Sequence, residues 1–217
     1  SLSSLRSLFK DDPAGWARAA GNRWTEIIGG AIPAEVWAAA QLTDEIPDGV
    51  PVCWGAARAA DGSQVALAAA ARLEDGRILA EVVDVLPSPY GAAELIRKRV
   101  RTAPGPVAVA RSGPSANVAA DLDALTGVRL VDVPDADYAI GCANLMDALK
   151  SGAYRVRPNA DLDAAVSVAV KRGLGDGAFV WARRAASAPI ATLEALTLAI
   201  GQAARPRVGK PRIITAA

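Results

Sequence analysis

Three strand-like apolar runs in succession, joined by links too short to hold another element, constrain this chain more than any other feature. They cover residues 50–59, 64–73 and 78–86. Asp61-Gly62 separates the first two and Glu74-Asp75-Gly76 the second pair. Both are hairpin sequences, in which glycine supplies the positive φ of a tight turn. Links this short join antiparallel neighbours, since a parallel pair needs a long crossover. An antiparallel three-strand meander follows. Beyond it the pattern alternates, with helices expected over 91–102, 115–126, 135–151, 161–172 and 189–203. The intervening strands are expected at 106–111, 128–133, 154–156 and 178–183.

A meander followed by β-α-β-α units implies a mixed α/β sheet with helices on both faces. An RNase H-like arrangement satisfies that order best, with a doubly wound α/β domain as competitor. Its span is 49–204. Residues 1–48 read as a helical preface, in which Trp16, Trp24 and Trp37 recur among alanines and Pro33 stands at a first helical position. A strap packed on the domain is the economical reading of that preface, and an exposed docking element the other. The turn-rich IPDGVP at 46–51 marks the boundary. Residues 205–217, RPRVGKPRIITAA, carry four basic residues, two prolines and no acid, and an extended, mobile end is expected. VGKPR within it is no phosphate loop, because the spaced first glycine is missing and Pro211 follows the lysine. No ATP site is found.

Composition removes several chemistries. There is no histidine, so His-based acid–base catalysis and His metal ligands are excluded. The net charge of +1 gives no global pull toward nucleic acid, which leaves local basic patches as the only route to it. Cys53 and Cys142 match no zinc spacing and read as buried, reduced thiols. No apolar run approaches the roughly 18–20 residues that span a bilayer, so no membrane partner is expected. SLSSLRSLFKDDP lacks the apolar core of a signal peptide, and a soluble, intracellular chain is expected.

Residues 32–204 carry a series of short motifs whose order and spacing are informative together. They are IPAEVW, the D-G-S hairpin at Asp61–Ser63, EDGRILAEVVD, SGP at Ser112–Pro114, LDAAV, KRGLGDG and WARR. In this series the chain resembles the C-terminal, RNase H-like nuclease domain of phage terminase large subunits of the actinophage type. Those are the motors that pump and cut viral DNA. The resemblance implies a packaging protein in the cytoplasm of a bacterial host, with double-stranded DNA and the portal or other packaging subunits as partners. It also implies a site in which carboxylates from the first strand, the fourth strand and the last helix hold Mg²⁺ or Mn²⁺.

Carried onto this sequence, those three acid positions fall on Ala57, Ala110 and Pro189. Hard divalent cations need carboxylate oxygens, which none of the three supplies. No catalytic residue, metal ligand or cofactor is therefore assigned. A proline at the third position argues for natural loss rather than deliberate substitution, and it suits the first turn of a helix. A catalytically inactive domain that holds DNA or docks to packaging subunits is the leading expectation.

Two alternatives stand beside it. One is an active Mg²⁺- or Mn²⁺-dependent endonuclease with carboxylates relocated among Asp61, Glu81, Asp84, Asp161, Asp163 and Asp176. Against it, Glu81 and Asp84 should face opposite ways on one strand. Asp161 and Asp163 suit a helix cap, and Asp176 a turn. The other is a repurposed protein-interaction module. Among the basic residues, Arg97, Lys98, Arg99 and Arg101 crowd one helix end. Lys171, Arg172, Arg183 and Arg184 are the candidate DNA contacts, expected to lie close together across the GLGDG turn.

Overall fold

The structure, a computed structural model, describes residues 30–205. Trp16 and Trp24 of the preface and the basic tail beyond Arg205 lie outside the described residues. The meander forms as expected, from β1 (Val52–Arg58), β2 (Val65–Arg72) and β3 (Ile78–Leu86). β1 runs against β2 from Val52 opposite Ala71 to Arg58 opposite Val65. Gly62 and Gly76 turn the two hairpins at φ 76° and 88°. β4 (Pro106–Val109) then joins β1 in parallel, and β5 (Arg129–Asp132) joins β4. β6 (Tyr154–Val156) adds in parallel to β3 at the opposite edge. The resulting order, β5-β4-β1-β2-β3-β6, is the mixed RNase H-like sheet that the element sequence predicts. Its antiparallel centre excludes the doubly wound competitor.

Each sheet face carries its own core. α2 (Ala92–Thr102) and α3 (Ala116–Asp123) cover one face. α2 buries Ala92, Ile96 and Val100, one residue per turn, against Trp54, Leu67 and Val107. The other face takes α1 (Ala34–Ala40), α4 (Asp135–Ser151), α5 (Ala160–Val168) and the last helix, α6 (Ala191–Ala204). α6 is buried at every residue from Ala191 to Ile200. It lies on β1 and β2 so closely that a Cβ on Gly55 would stand 2.1 Å from the Ala195 carbonyl oxygen. The alanines of the sequence thus have a structural use: Ala57, Ala66, Ala68 and Ala70 lie beneath a helix that carries Ala191, Ala195 and Ala199. Small residues on both sides let backbone approach backbone at close-packed density.

α1 packs on this second core, with Trp37 buried. The Trp37 indole and the Gln41 amide both donate to Asp163 Oδ1, each at 2.7 Å. Asn159, not an aspartate, caps α5, accepting from the Leu162 amide. The capping role expected of Asp163 is therefore corrected: it fastens the strap.

Three further departures matter. The helix expected over 161–172 stops at Val168, where Ala169 turns extended. Lys171–Gly175 instead forms a strand, β7, which pairs with β8 (Ala178–Trp181) in a separate two-stranded ribbon around Asp176 at φ 48°. α6 begins at Ala191, so Pro189 lies two residues outside it rather than in its first turn. In β3, Glu81 pairs with Ala69 and Asp84 with Leu67, leaving Val83 as the extra residue of a bulge. The bulge shifts the alternation by one. Both acids consequently face the α2 side, where Leu67 and Ala69 lie, instead of opposite sides.

Candidate nucleic-acid interface

The β1–β4 register sets the floor of the site. Gly55 pairs with Ala108, so two residues further on Ala57 stands beside Ala110 on the face that meets α6. Both side chains are buried. Beyond β4 the chain turns through Gly113 at φ 67° into a 3₁₀ turn, Gly113–Ser115. There the Ser115 hydroxyl accepts from the Arg58 amide at 3.0 Å and ties the ends of β1 and β4 together. Ser112 donates to Asp135 at the start of α4. The sequence-expected SGP segment is thus the hinge that aims this end of the sheet.

Glu194, one turn into α6, projects from the helix here and is 1 % exposed. Its Oε1 accepts from Arg183 Nε at 2.5 Å and from the Tyr138 hydroxyl at 3.2 Å. Its Oε2 has no hydrogen-bond donor among the described residues. The Arg183 guanidinium lies 5.6 Å from the Tyr138 ring centroid, a cation–π distance. It also comes within 3.1 Å of where a Cβ on Gly113 would sit. Arg183 thereby spans from the end of β4 to the start of α6. Burial pushes the Glu194 carboxyl above its ordinary range, and the Arg183 charge opposes that shift. The same burial, with the Glu194 charge nearby, raises Tyr138 well above its usual value and the Cys142 thiol to about 12.

A cleft of about 490 Å³ opens beside this cluster. Lys171, Arg172, Arg183 and Arg184 all line it, with Ala60, Gly113, Pro114, Val170, Trp181, Ala182 and Ala185. No carboxylate does. The four cations meet at the base of the β7–β8 ribbon, where Lys171 pairs with Trp181, and not across its glycine tip. The ribbon is held there by Trp181, whose indole donates to Thr197 of α6 at 2.9 Å. Lys171 Nζ sits 4.5 Å from the Phe179 ring centroid, a cation–π distance. Lys171, Arg172 and Arg184 are exposed, whereas Arg183 is turned inward.

Solved structures share this architecture. The HK97 bacteriophage large terminase superposes with a TM-score of 0.62 at 16 % identity, over 79 % of this chain and 43 % of its own. The large terminase nuclease of thermophilic phage G20c, with bound magnesium, gives 0.61 at 12 % identity, over 82 % and 99 %. The fold is that of a phage large-terminase nuclease domain. The chain spans less than half the length of the HK97 large terminase, and nearly all of the G20c nuclease. No protein-family model matches the chain, and no curated protein matches it by sequence.

Against the terminase nuclease fold, the carboxylates of this chain are dispersed. Asp61 is exposed in its hairpin and bonds Ser63. Glu81 pairs with Arg157, which also binds Glu45. Asp84 takes both prongs of Arg99, and Asp163 holds α1. Asp176 is the turn residue of the β7–β8 ribbon. Among the described residues no group of three or more acids, cysteines or histidines is placed to hold a metal ion. Such a donor set does not fit a divalent cation, which takes several oxygen ligands. Of the second basic group, Arg99 and Arg97 are paired with Asp84 and Glu94 on the α2 side, remote from the cleft. No helix among the described residues is long and apolar enough to cross a membrane.

Sequence reasoning missed Glu194 and its partner Tyr138. The signal was present: a single acid inside the apolar run ATLEALTLAI. A lone carboxylate in a helix that is otherwise apolar all round must be paired or neutralised.

Proposed function

We propose that this domain is a non-cleaving relative of the terminase nuclease fold that holds duplex DNA during viral genome packaging. The observation that carries the reading is the composition of the cleft. Its walls present four cations and no carboxylate, and the family's acid positions carried onto this chain fall on Ala57, Ala110 and Pro189. A site of this kind attracts phosphates and lacks the oxygen cage that would activate water. Lys171, Arg172 and Arg184 make the phosphate contacts, and Arg183, engaged with Glu194, positions the wall between them. Contacts of this type fix DNA without reading its sequence. The resemblance to packaging motors supports a role in the host cytoplasm, with the portal or another packaging subunit as neighbour.

Two measurements test this. Supercoiled plasmid incubated with Mg²⁺ or Mn²⁺ should stay intact, and nicking that titrates with the protein overturns the non-cleaving part. Duplex affinity should fall with salt along a log–log slope of about −3 for three phosphate contacts, and Arg172→Ala or Arg184→Ala should each flatten it by about 0.9. A slope left unchanged by both substitutions removes the cleft as the DNA site.

A further inference from the structure

We infer that this domain carries a second oxyanion site, suited to a phosphate group, at the end of the sheet opposite the cleft. It goes beyond the DNA-holding reading and does not depend on what occupies the cleft. A pocket of about 270 Å³ opens there, where β1 and β4 begin and α6 ends. β1 is seven residues long, so roughly 20 Å of strand separates this pocket from the cleft. Three arginines line it from three elements: Arg72 at the end of β2, Arg129 at the start of β5 and Arg205 just after α6. All three are exposed, and no carboxylate lines the pocket with them. The acids of this sheet end, Asp48 before β1 and Glu74 and Asp75 in the second hairpin, lie outside its walls.

The end of a helix does not account for the group. Cations gather at a helix C-terminus because its free carbonyls are partly negative. Arg72 fits that role, donating from Nη1 to the Ala204 carbonyl oxygen at 3.4 Å, and Arg205 is held by Asp137 at 2.8 Å. Arg129 does not fit it. It stands on β5 opposite Pro106 of β4 and has no ion pair among the described residues. Placing it in the same pocket costs like-charge repulsion that nothing in the walls offsets. Each guanidinium has five donors, and the two anchored ones use one apiece. A bound anion can therefore draw on donors from three directions. Phosphate suits this better than carboxylate. One guanidinium satisfies a carboxylate edge to edge, whereas a phosphate group presents more acceptor oxygens and, as a monoester, nearly two charges. Gly105 in the floor lies so close to β1 that a Cβ would stand 2.1 Å from the Val52 carbonyl oxygen, so no side chain fills the space there. Beyond Arg205 the sequence adds Arg207, Lys210 and Arg212 and no acid.

NMR of the Arg72 and Arg129 Nε–Hε groups in the full chain tests this. Inorganic phosphate, titrated at constant ionic strength against chloride, should move both signals saturably. Arg129→Gln changes an exposed side chain and should weaken the binding read at Arg72 about tenfold, the loss expected for one charge-assisted hydrogen bond. Signals that move no further than in chloride, or a Kd unchanged in Arg129→Gln, overturn the inference. So does acetate that binds as tightly as phosphate, which makes the pocket a docking place for acidic protein side chains. The source of the phosphate is read in Arg172→Ala/Arg184→Ala, where the cleft is weakened. A duplex of about one helical turn that moves the Arg72 and Arg129 signals makes it a DNA backbone phosphate. If free phosphate moves them and the duplex does not, the ligand is a small phosphate compound. The cleft substitutions by themselves should leave the phosphate Kd here unchanged, so the two readings fail separately.

Discussion

Glu194, a lone acid in an apolar run, ties three elements together once the chain is folded. Burial raises its pKa, so its folded form holds the proton more tightly than the unfolded chain does. By linkage, that contribution to stability is complete below the ordinary glutamate value of 4.5 and is lost as pH rises through the higher folded value. Wild type should therefore lose stability relative to Glu194→Gln between acid and neutral pH, measured by urea unfolding of both proteins across that range. A relative gain would mean that Arg183 outweighs burial. Cys142 offers a second check on the same cluster. Its thiol is raised to about 12 by burial, so the thiolate that reacts is scarce at pH 8. Peptide mass spectrometry after iodoacetamide treatment of the folded protein should find Cys142 unmodified and, after unfolding, alkylated. The expectation that the family's acid positions fall on Ala57, Ala110 and Pro189 could be drawn from the sequence, where turn and strand motifs anchor it. The Arg183–Glu194–Tyr138 cluster could not, because its members come from three elements whose approach only the tertiary fold determines.

Elements were legible where a periodic apolar pattern met a turn residue. The meander has both, and the structure trims its strands by no more than two residues at either end. β7 has neither: all five of its residues are exposed, so no alternation marks it, and its glycines read as a loop. The β3 bulge was hidden for a related reason. It changes which way Glu81 and Asp84 face without changing the apolar character of the run, and register is fixed by pairing with β2. Gly55 is the element-scale feature with the sharpest consequence. The last helix lies directly on β1 there, and a Cβ would meet Ala195 oxygen at 2.1 Å and Ala199 nitrogen at 2.5 Å. Neither contact can relax by a rotamer change, since both are backbone. Gly55→Ala should cost about 1–3 kcal/mol or more in chemical denaturation, an overpacking penalty. A neutral result would show that α6 sits further from the sheet than described.

At the scale of the molecule, the end of the sheet at Ala57 and Ala110 is a closed, alanine-lined joint, and an open cationic cleft lies at the base of the β7–β8 ribbon. The net charge of +1 is nearly balanced, so the field that would draw in DNA is the local one at the base of the β7–β8 ribbon. On the proposed non-cleaving reading, acids at Ala57 and Ala110 would be hard to accommodate. Ala57 and Ala110 are each 1 % exposed, and Arg183, which reaches the Gly113 turn beyond β4, is already committed to Glu194. New carboxylates there would be buried with at most a share of one cation, which costs several kcal/mol per charge after relaxation. The pair of substitutions Ala57→Asp and Ala110→Asp should therefore lower Tm, with no recovery on adding Mn²⁺ and no nicking of plasmid. Recovery of both stability and cleavage by Mn²⁺ in that double variant would show the opposite: that carboxylates at these two positions can hold a catalytic metal.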